Sequence, residues 1–218
     1  MQWLRARDID AETMTLRGLE PGRADADIAR VSLEDHVQQL VDVTYQTRAD
    51  KVILVSHSYS GAVVASASDR LGTYVAGIIH IGAFLPVDAH ALLDNWGSTD
   101  DERAHEEADI EAAGNLWLSP TREMLDYVDD LTDADRDYLA SKFTAHPGRT
   151  VLDAADLSSP VEEQPATYVA LSLKDAPAVA KSATTWQRRS LASGHWPMVS
   201  AFDETAALIE EEIRRYGS

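Results

Sequence analysis

Hydrophobic positions along this chain follow two spacings. Leu33, Val37, Leu40 and Val41 recur every three to four residues, the signature of one helix face. Ser32-Leu33-Glu34-Asp35, at their head, has the form of a capping box. Lys51 to Ser56 is different: near-continuously apolar and too short for a helix, it suits a central parallel strand covered on both faces. The small residues from Ser60 to Ser68 predict the next helix. Tyr74 to Phe84 (with Val75, Ile78, Ile79 and Ile81), Thr167 to Leu173 and Arg188 to Ala192 read as further strands. Thr13 to Arg17 reads as a short strand ending at Gly18. Ala176 to Trp186 and the amphipathic Phe202 to Tyr216 read as helices.

From Pro86 to about Pro147 the pattern is helical and acidic, with no β-rich runs, and Ser98 to Asp109 marks an exposed helix start. Strand and helix otherwise alternate. The expected fold is therefore α/β, a mainly parallel sheet flanked by helices with one small helical insertion. The expected division is core over 1–86, helical cap over 87–150 and core again over 151–218.

Composition narrows the function. At 218 residues and 44% hydrophobic, the chain suits one domain with a substantial core. The 37 acidic residues outnumber 19 basic ones, a formal charge of −18 that argues against nucleic-acid binding. No run approaches the roughly 20 apolar residues of a membrane helix. Met1 to Arg5 lacks the apolar core of a signal peptide, so a cytoplasmic location is expected. The absence of cysteine excludes disulfides, thiol catalysis and thiolate metal sites. No nucleotide-binding glycine motif or paired-histidine zinc motif occurs, so neither cofactor nor metal is expected.

The chemistry centres on Val55-Ser56-His57-Ser58-Tyr59-Ser60-Gly61, a strand-to-helix junction in the form of a nucleophile elbow with Ser58 at its tip. The pattern asks for glycine two residues to either side, where this chain has Ser56 and Ser60. An elbow serine needs a base, and that base an orienting acid. His195, in Ser193-Gly194-His195-Trp196-Pro197 between the last strand and the last helix, is the candidate base. Asp175, just after the strand from Thr167, is the candidate acid; a helix N-cap or a surface aspartate is the plain alternative for it. Their order 58, 175, 195 is the one this motif requires. His57 is expected to pack under the elbow and His80 to be a hydrogen-bonded core histidine. Trp96, Trp117, His146 and Trp196 are the candidate substrate contacts, the first two as a hydrophobic wall.

Ile53 to Val64 resembles the "LVGHSYGGAVI" segment of α/β-hydrolase-fold proteins, in particular small cofactor-free bacterial esterases related to plant methyl esterases and hydroxynitrile lyases. Thr15 to Leu19, Val31 to Val37, Ala83 to Pro86 and Ser193 to Ser200 match the same branch in the same order, as does His146-Pro147 at the end of the insertion. The resemblance implies a Ser58, Asp175, His195 triad with the Tyr59 N–H as an oxyanion donor. It implies hydrolysis of a small, largely apolar carboxylic ester, with the cap supplying substrate contacts. A lyase, cyclase or isomerase using the same pocket, or a catalytically impaired binding protein, is the alternative.

Members of that branch begin with a strand and turn that supply a second oxyanion N–H, a loss of which costs roughly 10²–10³ in turnover. This chain starts at the end of the helix that follows it, at Trp3 to Arg7. Direct pairing of the flanking strands, a homodimer covering the shortened sheet, or a start placed too late would each answer the gap; association is the expectation.

Overall fold

The computed structural model describes residues 2–95, 97, 99–171 and 177–217. Its strands are β1 (Val52–His57), β2 (Val75–Ile81), β3 (Leu116–Trp117), β4 (His146–Pro147), β5 (Ala166–Leu171) and β6 (Gln187–Leu191). Its longer helices are α1 (Leu33–Gln46), α2 (Ser60–Leu71), α3 (Asp100–Ala112), α4 (Asp133–Lys142) and α5 (Phe202–Tyr216). A parallel sheet in the order β1-β2-β5-β6 forms the core. The alternating strands and helices thus give the α/β architecture that the periodicity predicts.

Each face of the sheet has its own apolar layer. Leu54, Ile78, Ala166 and Tyr168 pack with Leu33, Val37 and Val41 of α1 and Val63, Val64 and Ala67 of α2. On the other face Ile79, Ile81, Val169 and Leu171 meet Leu208, Ile209 and Ile213 of α5. The two-residue side-chain alternation of a strand feeds both layers at once, which is why these segments read as continuous apolar runs. The capping box at α1 is formed: the Ser32 hydroxyl accepts from the Asp35 N–H, and the Asp35 carboxylate accepts from the Ser32 N–H.

Two expectations are corrected. Residues 13–17 form no strand. Their backbone is satisfied by a helix side chain instead: Gln39 Oε1 accepts from the Arg17 N–H (2.8 Å) and its Nε2 donates to the Thr15 carbonyl (3.0 Å). The stretch between β2 and β5 does contain strands, since β3 and β4 pair antiparallel, Leu116 against Pro147 and Trp117 against His146. Pairs this short fall below any periodic signal.

The sheet ends at β1. Among the described residues no strand pairs with its outer side, and Val55, on the α5 face of β1, is 44% exposed. Direct pairing of flanking strands across the gap is therefore not what these residues do. The strand that carries the elbow is an edge strand.

Candidate active site

The elbow takes its shape from a strained residue and a close approach. Ser58 has φ of +52°, a left-handed conformation uncommon for a residue with a side chain. The strain is held by backbone bonds: the Ser58 N–H donates to the Ile81 carbonyl (3.4 Å), and its carbonyl accepts from the N–H groups of Gly61 (3.0 Å) and Phe84 (3.0 Å). Gly61 is dictated by space, because a Cβ there would lie 2.3 Å from the Phe84 carbonyl oxygen. Tyr59 caps α2, so its N–H is among those the helix leaves without an intrahelical acceptor.

Both serines that replace glycine have partners. The buried Ser56 hydroxyl pairs with Nδ1 of His80 (2.7 Å), its register partner on β2. The Ser60 hydroxyl closes the turn, donating to the His57 carbonyl (2.8 Å) and accepting from the His57 N–H (2.9 Å). The elbow is intact with serine at both places. His80 is the hydrogen-bonded core histidine expected, and burial pushes its imidazole down to about 3.

Behind the elbow lies an aromatic cluster. His36 Nε2 faces the Arg17 carbonyl (2.6 Å), so it carries the proton. Its Nδ1 then accepts from the Tyr59 hydroxyl (2.8 Å). The Tyr59 hydroxyl is pushed above its ordinary range by burial. His146 stands edge-on to the Tyr59 ring (centroids 4.5 Å apart) and to Trp117 (5.7 Å), whose Nε1 donates to Glu106. The Thr150 hydroxyl donates to the Pro147 carbonyl (2.6 Å), so toward His146 Nδ1 (3.1 Å) it is an acceptor and Nδ1 carries the proton. That leaves His146 Nε2 a bare, buried acceptor without a hydrogen-bond partner. Burial, with His36 close by, pushes His146 down to about 4.

His195 reaches the elbow through His57. Nε2 of His57 faces the His195 carbonyl (2.6 Å) and so donates to it, and the two rings lie 4.9 Å apart. Burial holds His57 below the ordinary histidine range, despite that bond. The Trp196 ring stands perpendicular to His195 (5.0 Å) and packs on Phe143 (6.0 Å).

The fold thus sets the His195 loop against His57, the residue before Ser58 in the elbow, with His146 beside Tyr59, Trp117 beside His146 and Trp196 beside His195. Asp175 and Trp96 lie outside the described residues. Three residues at the site escaped the sequence reading: His57 as a tie to the His195 backbone, His36 as the partner of Tyr59, and Asp130, described below. None belongs to a motif for its role; His57 alone was placed near the elbow by its position in the chain. Among the described residues no group of three or more His, Asp or Glu is arranged to hold a metal, and no helix is long and apolar enough to cross a membrane.

Comparison with known proteins agrees with this architecture. A model described as "Alpha/beta hydrolase family" matches residues 1–208. A carbendazim hydrolyzing esterase of Nocardioides sp. is 32% identical over 63 residues, 29% of this chain; the match spans 26% of the relative's length. Among solved structures, an extracellular α/β-hydrolase of a Paenibacillus species, described as homologous in structure and function to tobacco salicylic acid binding protein 2, superposes with a TM-score of 0.82 at 17% identity, over 96% of this chain and 90% of that one. A methylesterase from Arabidopsis gives 0.68 at 18% identity, over 98% and 90%. A pyrethroid hydrolase from Sphingobium faniae gives 0.67 at 19% identity, over 96% and 88%. At these identities the structures speak for the fold, and the match over nearly the whole chain speaks for descent: this protein belongs to the alpha/beta hydrolase family.

Proposed function

We propose that the protein hydrolyses a small, largely apolar carboxylic ester through an acyl-enzyme on Ser58. The observation that carries the proposal is the elbow: Ser58 held at φ +52° on the turn into α2, with His195 tied to the neighbouring residue His57. In the first step Ser58 Oγ attacks the carbonyl carbon while His195 takes its proton, and the Tyr59 N–H faces the oxyanion. The alcohol then leaves with that proton. Water, deprotonated by His195, cleaves the acyl-enzyme and returns the serine. Asp175 orients His195 in this scheme. His146 and Trp117 wall the substrate site on the Tyr59 side in this scheme, and Trp196 on the other. Names among the relatives (a carbendazim hydrolyzing esterase, a methylesterase, a pyrethroid hydrolase) support carboxyl-derivative hydrolysis as the reaction class.

Ser58→Ala is expected to abolish p-nitrophenyl acetate and butyrate hydrolysis without loss of thermal stability. Unchanged turnover in that folded variant would sink the assignment. A second reading is favoured by one observation, the edge position of β1, where no neighbouring strand brings a second oxyanion donor among the described residues. In it His195 acts as a base in lyase, cyclase or isomerase chemistry without acylating Ser58. A fluorophosphonate probe separates the two: labelling of Ser58 supports the hydrolase, and a folded protein that resists labelling supports the alternative.

A further inference from the structure

The loop that carries His195 is gripped from two sides, one of them the stretch between β2 and β5. We infer that Asp130, in that stretch, is a positioning residue whose carboxylate clamps the peptide preceding His195 and so sets where the imidazole stands over the elbow. The inference rests on the reading of Ser58 and His195 as nucleophile and base.

Three observations carry it. The Gly194 N–H donates to Asp130 Oδ2 at 2.6 Å, a short charge-assisted bond, and the Ser193 hydroxyl lies 3.2 Å from the same oxygen. The fit dictates the residue before the histidine: a Cβ at position 194 would lie 2.2 Å from Asp130 Oδ1 and 2.9 Å from its Cγ. A side chain at 194 would therefore displace the carboxylate, and the backbone there has no left-handed conformation that would call for glycine on its own. Finally, the carbonyl of His195 is held from below by His57 Nε2 (2.6 Å). The N–H on one side of His195 is thus tied to the insertion, and its own carbonyl to the elbow.

Asp130 holds the loop through Oδ2, while its buried Oδ1 has no hydrogen-bond partner. Burial pushes its carboxyl up, but hydrogen bonds from Ser200, Gly194 and Ser193 outweigh that and hold it below the usual range, so it is charged at neutral pH. Its neighbour Leu131 is buried with Leu125 and Leu139 in a cluster that also takes in Trp196 and Val199, on either side of the histidine loop's exit. That packing holds the backbone around Asp130 next to the histidine loop.

The test uses the full chain with Asp130→Ala, Asp130→Asn, Gly194→Ala and the double variant Asp130→Ala/Gly194→Ala. Asp130→Ala is expected to lower kcat for p-nitrophenyl butyrate about 10- to 100-fold, the scale of a small misplacement of a catalytic group, with KM little changed. Asp130→Asn keeps an oxygen to accept from Gly194 and is expected to recover most of that loss. Gly194→Ala is expected to be as damaging as Asp130→Ala, and the double variant no worse than either, because removing the carboxylate opens room for the new methyl. Independently of any activity, deuterium exchange of the peptide covering residues 192–196 is expected to quicken in Asp130→Ala and not in Asp130→Asn. Unchanged exchange in Asp130→Ala, or additive losses in the double variant, would overturn the clamp. A wild-type protein that hydrolyses no ester yet shows the exchange response would refute the hydrolase reading while leaving the clamp standing.

Discussion

Ser56→Ala tests why this elbow tolerates serine where glycine is usual. Ser56 is 2% exposed and faces His80, which is fully buried, across the β1–β2 register. Their 2.7 Å hydrogen bond is the one that His80 Nδ1 makes, and His80 Nε2 has no hydrogen-bond partner. Held near pKa 3, the ring is neutral at any working pH and cannot recover a partner by charging. Removing the hydroxyl strands a second ring nitrogen in the core, a cost of about 1–3 kcal/mol. For a domain of this size that lowers Tm by about 2–12 °C. Glycine in place of alanine adds about 0.5–1 kcal/mol for a flexible residue within a strand. The decisive assay is a double-mutant cycle in urea with His80→Phe, which keeps a ring against Trp186 (centroids 5.7 Å) but has no nitrogen to satisfy. Ser56→Ala should cost far less in the His80→Phe background than in wild type. Equal costs in both backgrounds, or a wild-type midpoint for Ser56→Ala alone, would refute the reasoning.

Two further predictions concern the same core. Gly61→Ala places a methyl 2.3 Å from the Phe84 carbonyl and 2.7 Å from the Ala83 side chain, so it should destabilise by about 1–3 kcal/mol or more and depress esterase activity beyond the loss of folded protein; a wild-type melting curve with full turnover would contradict the close approach. Stability should fall in mild acid, because His80 and His146 have folded-state values of about 3 and about 4 against an ordinary 6.5, and the unfolded chain therefore binds protons that the folded one refuses. Their contribution is complete above about pH 6.5 and declines by about 1.4 kcal/mol per pH unit for each histidine as pH falls toward 4. Urea midpoints measured from pH 7.5 to 4.5 check this, and a flat series would exclude it.

The elements were legible because burial leaves a period in the sequence. Leu33, Val37 and Val41 lie four apart because one helix face meets the sheet, and all three are buried in it. Val52 to His57 reads as a strand because its side chains feed both faces. The elbow was legible for a related reason: a strained turn between strand and helix restricts residue choice over consecutive positions, which leaves a local motif around Ser58. His195 could be picked out by its place between the last strand and the last helix.

What the sequence determined by itself, then, is the alternation of strands and helices, the turn that exposes Ser58 and the loop that bears His195, since each depends on neighbours along the chain. Tertiary structure decided the rest, because hydrogen-bond partners distant in the chain leave no spacing to read. Residues 13–17 have strand-like composition, yet Gln39, 22 positions beyond Arg17, takes their backbone bonds and no strand forms. Whether Ser56 could replace glycine depended on the register that sets His80 beside it, 24 positions away. The grip on the peptide before His195 comes from Asp130, 64 residues upstream of Gly194, in a stretch whose acidic composition marked no one carboxylate above the others.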